Sequence, residues 1–195
     1  MNTATKRREN DYYPTPEAVI ENFLVNYMID PNKKILEPCA GSGNIIKALQ
    51  KHGCKNIDAV EIDEDHADEL LELLGIGHVA IADFLKIKKR QYPEEQYDII
   101  ITNPPYSKAQ EFVEKALELV NETGVVIMLL RTAFLESQKR FEFWQKPENK
   151  LSALYTLSSR PSFIGKGTDA TSYSWFIWDK NTHTHTQEIK VIRGK

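Results

Sequence analysis

From Lys33 onward, short apolar runs alternate with amphipathic stretches, and this alternation constrains the chain more than any other feature of it. Runs too short for helices, separated by segments with apolar residues every three or four positions, are the pattern of strands joined by crossover helices. Lys34–Leu36, Ile57–Glu61, Val79–Ala82, Asp98–Thr102 and Val125–Leu130 read as strands, and Asn44–His52, Glu64–Leu74, Lys108–Val120 and Leu135–Trp144 as helices. Such crossovers are right-handed, so most of the sheet is expected to be parallel. The tail differs: Leu154–Ser158, Ser172–Trp178 and Glu188–Ile192 read as strands with no helix between them, which predicts an antiparallel hairpin and an edge strand. The expectation is one α/β domain over residues 1–195, with a mostly parallel seven-stranded sheet and helices on both faces. Residues 1–11 are expected to be flexible and 181–195 to form the edge strand and tail. Ahead of the first strand, Thr15 is placed to cap a helix beginning at Pro16, whose inward face is Val19, Ile20, Phe23, Leu24, Tyr27 and Met28.

Composition excludes more than it identifies. No run of about 18 apolar residues exists to span a membrane, and the polar start of the chain has no signal-peptide core. Cys39 and Cys54 are too few for a disulfide framework and lack metal-ligand spacing, so a cytoplasmic protein with no metal site is expected. The net charge of −3 argues against a grip on nucleic acid through many phosphates. The basic runs Lys6–Arg8 and Lys86–Arg90 read as solvated surface. So do His183 and His185, in a Thr-rich turn, while His52, His66 and His78 fall at helix ends or surface positions.

The chemistry sits at strand ends. After the first strand comes Leu36-Glu37-Pro38-Cys39-Ala40-Gly41-Ser42-Gly43, where glycines let backbone approach a ligand and a helix start offers N–H groups. The second strand ends in Glu61-Ile62-Asp63, and an acid about 20 residues past the glycines can accept from ribose hydroxyls. The third ends in Asp83-Phe84, a carboxylate that could accept from an adenine amine and a ring that could stack on the base. Open α/β sheets bind ligands at these carboxyl ends. The fourth strand runs into Asn103-Pro104-Pro105-Tyr106. Two prolines hold the chain extended, leaving the Asn103 side chain and the Pro104 carbonyl as fixed acceptors. A planar NH2 is a poor nucleophile because its lone pair is delocalised. Two acceptors on its hydrogens can aim that lone pair at a methyl donor, a task of positioning and electrostatics. Tyr106 offers a ring for a planar group.

The order of Tyr13-Pro14-Thr15-Pro16, Leu36–Gly43, Val60–Asp63, Ala82–Phe84 and Asn103–Tyr106 resembles that of S-adenosylmethionine-dependent N6-adenine DNA methyltransferases of the γ arrangement, over roughly residues 12–180. The resemblance implies a Rossmann-like class I methyltransferase fold, S-adenosylmethionine as cofactor, and DNA, duplex or single-stranded, as partner. It places Tyr13, Thr15, Pro16, Glu37, Pro38, Ala40, Gly41, Ser42 and Gly43 around the cofactor's methionine part. Glu61 and Ile62 would hold its ribose and pack on its adenine, with Asp83 and Phe84 binding that base and Asn103 bordering the cofactor as well as the target. Asn103, Pro104, Pro105 and Tyr106 would grip the target adenine, flipped out of its helix. Arg160-Pro161-Ser162-Phe163 resembles the family's later loop, with Phe163 as the second aromatic wall. A recognition domain usually follows in that family, whereas 17 residues follow Trp178 here, so a protein partner supplying sequence recognition is expected. RNA adenine, protein glutamine and a non-catalytic cofactor-binding subunit remain alternatives. Cys39, in the cofactor loop, is not positioned as the nucleophile of a cytosine methyltransferase.

Overall fold

The computed structural model describes residues 14–88, 97–163, 170–181 and 188–193. Its strands are β1 (Ile35–Glu37), β2 (Ile57–Glu61), β3 (Val79–Ile81), β4 (Tyr97–Thr102), β5 (Val120–Arg131), β6 (Ala153–Leu157), β7 (Tyr173–Asp179) and β8 (Glu188–Ile192). All eight form one sheet in the order β3-β2-β1-β4-β5-β7-β6-β8. β3, β2, β1, β4 and β5 pair in parallel. β7 alone runs against its neighbours, antiparallel to both β5 and β6, while β8 lies parallel to β6. The mostly parallel sheet with its reversed hairpin matches expectation; the strand count does not. β8 joins the same sheet as an eighth strand because β6 otherwise presents an open edge, and Ile192 is buried when it does so.

Alternation along each strand divides the core in two. Ile35, Ile57, Ala59, Ile99, Ile101, Ile127, Leu129, Trp175 and Ile177 point to one side, where they meet Val19, Ile20 and Phe23 of α1 (Glu17–Asn26), Ile45, Ile46 and Leu49 of α2 (Asn44–Lys51), and Leu70 of α3 (Ala67–Leu74). Leu36, Val60, Ile100, Val126, Met128, Leu130, Phe176 and Trp178 point to the other, against α4 (Ala109–Leu119) and Phe143 of α5 (Phe141–Gln145). The sheet is thus covered on both faces. Near-continuous apolar strands such as Val125–Leu130 follow from this two-sided burial, each large side chain contributing about 1.5–3 kcal/mol.

Two helices depart from their sequence-based boundaries. Thr15 does not cap α1: the cap position is Pro16, with no side-chain hydrogen bond, and the Thr15 hydroxyl accepts instead from Asn103 Nδ2 at 3.0 Å. Met28, predicted on the inward face, is exposed, because α1 ends at Asn26 and Tyr27 is already extended. The predicted helix Leu135–Trp144 is broken into short 3-10 turns followed by α5. Ser137, at φ 136°, interrupts it, its hydroxyl accepting from the Lys139 N–H at 3.1 Å. No described helix is long and apolar enough to cross a membrane.

Candidate active site

The carboxyl ends of β1, β2 and β4 open into one pocket. Its wall includes Thr15, Glu37, Ala40, Ser42, Glu61, Ile62, Asn103 and Pro105. Eight residues expected from the sequence are therefore brought together across three strand ends and the entry to α1.

The loop between β1 and α2 holds its shape through glycine. Gly43 caps α2 at φ 72°, and a Cβ there would meet Leu73 Cδ2 at 2.7 Å, so any other residue is both strained and crowded. Gly41, at φ 49°, donates its N–H to Glu61 Oε2 at 2.6 Å. The other oxygen of Glu61 accepts from the N–H groups of Ile62 and Asp63 at 2.8 and 2.9 Å. The buried Glu61 carboxylate is thus a clamp between the β1 loop and the end of β2, holding three N–H groups of the roughly four a carboxylate can accept. A ribose hydroxyl has one acceptor site left, not two. Pro38, Gly41 and Gly43 are buried behind the wall rather than in it, and Pro16 sits outside it as the start of α1.

Glu37 lies fully inside. Burial first, and the neighbouring Glu61 carboxylate second, raise its carboxyl well above the usual range, against the pull of the Ile46 backbone N–H. Its Oε2 has no hydrogen-bond partner among the described residues. A buried acceptor without a partner costs free energy that a bound ammonium or hydroxyl group would recover. Cys39 also lines the pocket, but burial and then the charges of Glu61 and Glu37 push its thiol up, so it holds its proton and is no thiolate nucleophile.

Asn103 leaves β4 and turns its amide toward the segment before α1. Its Nδ2 donates to Thr15 Oγ1 at 3.0 Å, while the Thr15 carbonyl accepts from Asn44 Nδ2 at 2.9 Å. That hydrogen bond fixes which way the Asn103 amide faces. Pro105 lines the pocket beside it, and Pro104 is buried.

Three groups of expected site residues stand outside the pocket lining. Phe84 does not face the pocket: it is buried in the α4-side core, stacked on Phe112 at 5.3 Å, because the chain turns into a 3-10 helix right after Asp83. Asp83 caps that turn by accepting from the Leu85 N–H at 3.1 Å and pairs with Lys86; it is not part of the pocket lining, though its charge reaches Cys39 in that lining. Phe163 and Tyr106 do not face each other as two walls of a slot. Tyr173 stands between them, 5.0 Å from Phe163 edge-on and 5.4 Å from Tyr106 at 45°, and Phe163 is buried on the α1 side. Both phenylalanines pack into the core here, since an aromatic after a strand end satisfies a core as well as a ligand. Tyr13 lies outside the described residues, as do Lys6–Arg8, residues 164–169, His183 and His185.

Sequence reasoning missed Pro14, Cys39, Asn44, Ile45, Asp63 and His66 as lining residues. Asp63 belonged to the quoted strand-end motif and could have been included. His66 comes to the pocket only because residues 64–66 form a 3-10 turn, capped by the Asp63 side chain, that wraps over its rim. Among the described residues no group of three or more His, Cys, Asp or Glu is arranged to hold a metal.

A sheet ordered 3-2-1-4-5-7-6 with one reversed strand, and a pocket at the carboxyl ends of β1, β2 and β4, define a class I S-adenosylmethionine-dependent methyltransferase. Residues 8–153 match the family described as conserved hypothetical protein 95, and the chain belongs to that family. It is 27% identical over 175 residues to a tRNA1(Val) (adenine(37)-N6)-methyltransferase of Dyadobacter fermentans, covering 85% of this chain and 67% of that one. To a type II methyltransferase of a Vibrio species it is 32% identical over 117 residues, or 55% of this chain and 28% of the other. Its fold superimposes on a candidate RNA methyltransferase of Pyrococcus horikoshii with a TM-score of 0.67 at 20% identity, over 92% of this chain and 91% of that one. The match thus spans about two thirds of the first relative's length and little more than a quarter of the second's.

The pocket suits the cofactor of the class. Glu61 and Asp63 favour a sulfonium and an ammonium, the Oε2 of Glu37 offers an acceptor, and the start of α2 offers N–H groups to a carboxylate.

Proposed function

We propose that this protein transfers a methyl group from S-adenosylmethionine to the exocyclic N6 of adenine in RNA. The observation that carries the reading is the Asn103–Tyr106 strand end, whose Asn103 amide is oriented by Thr15 at the rim of the acid-lined pocket. S-adenosylmethionine supplies an electrophilic methyl carbon on a sulfonium. Asn103 Oδ1 and the Pro104 carbonyl accept from the two N6 hydrogens, which turns the nitrogen lone pair toward that carbon. When bound, the cofactor would give up that methyl to N6 with loss of its C–S bond, and N6 would release one proton to solvent. Asn103 is neutral and takes no proton; its contribution is geometry and electrostatics. Glu61 and the α2 start would hold the cofactor's ribose and carboxylate, with Pro105 lining the pocket beside Asn103.

RNA stands ahead of DNA for two reasons. The tRNA enzyme aligns over 85% of this chain, the DNA enzyme over 55%. A splayed nucleotide in folded RNA also needs no long duplex footprint, which suits a chain of net charge −3. DNA is the second reading, favoured by the higher identity of the Vibrio enzyme over its shorter alignment. Purified protein with methyl-labelled donor, offered unmodified tRNA, duplex DNA and bulk protein in parallel, tests both. N6-methyladenosine in the RNA digest supports the first reading, N6-methyldeoxyadenosine alone replaces it with the second, and methylglutamine overturns both.

A further inference from the structure

Arg131 ends β5 and faces Tyr173 across the β5–β7 ladder. Its guanidinium lies over the Tyr106 ring, 5.2 Å from the centroid, while Tyr173 leans on the same tyrosine at 5.4 Å. The ring that follows the Asn-Pro-Pro sequence is therefore already covered by a planar cation. Arg131 is itself exposed, and among the described residues no carboxylate pairs with it. Arg140, nearby in sequence, is the contrast. Its guanidinium is spent on the carbonyls of Phe134, Ala133 and Glu136, and stacks on the Phe134 ring. Arg140 is a structural clamp. Arg131 holds one weak, exposed contact and keeps its five donors for something else.

We propose that Arg131 is the gate of the target-base site, a positioning residue that gives up Tyr106 when the base enters and then holds the phosphate flanking the extruded nucleotide. A guanidinium resembles a nucleobase in being flat and stacking on aromatic faces, so it shields the Tyr106 ring in the free enzyme. Its stacking at an exposed site is weak enough for an entering base to displace it. Once displaced, the side chain remains anchored within reach of the backbone of that nucleotide, where a fork of N–H donors matches a phosphate. The charge is thereby used twice, first as a lid and then as a clamp.

This inference rests on the nucleic-acid reading above, and two substrates separate their failures. With free adenosine, which has no phosphate, Arg131→Ala loses only the lid, so kcat/KM should stay level or rise about two- to fivefold. With the RNA substrate the same variant loses the clamp, so KM should rise about tenfold with kcat little changed. The slope of log KM against log salt should fall by about 0.7–0.9, one phosphate contact. Arg131→Lys should restore the salt slope. S-adenosylmethionine affinity, read by calorimetry, should match wild type throughout. A parallel loss on adenosine and RNA, or an unchanged salt slope on RNA, overturns the gate. Wild-type protein that methylates no nucleic acid overturns the underlying reading instead.

Discussion

The two halves of the active end of the sheet are built by different means. Over β1 and β2 the pocket is held by hydrogen bonds of short reach: Glu61 to Gly41, Ile62 and Asp63, and the Asp63 side chain to its own turn. Over β4, β5 and β7 the end of the sheet is packed instead by rings and one cation: Tyr106, Tyr173, Phe163 and Arg131, drawn from four separate parts of the chain. Directional hydrogen bonds fix a shape for one ligand common to every reaction cycle. Aromatic contacts tolerate sliding and tilting, which suits the side that, on the proposed reading, admits and releases the nucleic acid.

The largest expected effect blurs that contrast if it fails. Phe84→Ala should cost about 3–5 kcal/mol of stability, from a cavity beside Phe112, and should leave cofactor affinity per folded molecule unchanged. Calorimetric binding that collapses while the melting temperature holds would put Phe84 back at the cofactor. Asn103→Ala should lower kcat by about 10²–10³-fold, in line with loss of a polar group that stabilises developing charge, and should change cofactor affinity by about 1 kcal/mol or less. Retention of near-normal turnover would remove Asn103 from the chemistry. Glu61→Gln replaces one acceptor oxygen by a donor, so at least one N–H of its three loses its partner. A loss of about 1–3 kcal/mol in stability is expected, with weaker cofactor binding in proportion. Binding weakened with stability intact would mean that the clamp is not structural.

Two smaller effects sharpen the comparison. Glu37 has its folded carboxyl raised above the ordinary 4.5, so its stability contribution is full below that pH and is lost as pH rises through the folded value. Glu37→Gln should therefore melt progressively higher than wild type as pH climbs above about 4.5, and the difference should be flat below it. A constant offset across the range would contradict the raised carboxyl. Asp83→Ala, at a capped turn outside the pocket wall, should weaken cofactor binding by less than about 1 kcal/mol and cost about 1 kcal/mol of stability through the lost cap. A tenfold loss of affinity would restore Asp83 to the adenine.

The same division decided what could be read from sequence. β1 to β5 and the pocket residues Glu37, Ala40, Ser42, Glu61 and Ile62 were legible because glycine spacing and strand-end acids carry their reason locally. Asn103 was legible because two prolines after a strand leave few conformations. Phe84 and Phe163 were not, since a ring's partner, here Phe112 or Tyr173, is chosen by packing at a distance. Thr15 looked like a helix cap by residue type. What gave it another role was an amide 88 positions away, which no local pattern reports.

β7 also has a consequence for how the chain reaches this state. It is the reversed strand wedged between β5 and β6, and every residue from Tyr173 to Trp178 is buried. Until it arrives, β5 presents an open edge with Ile127, Met128, Leu129 and Leu130 beside it, and β6 has no route to the rest of the sheet. On a ribosome, the first five strands emerge and can assemble while the strand that closes them is still unmade. The interval before residue 179 appears is therefore when a growing chain is most open to mispairing with its neighbours.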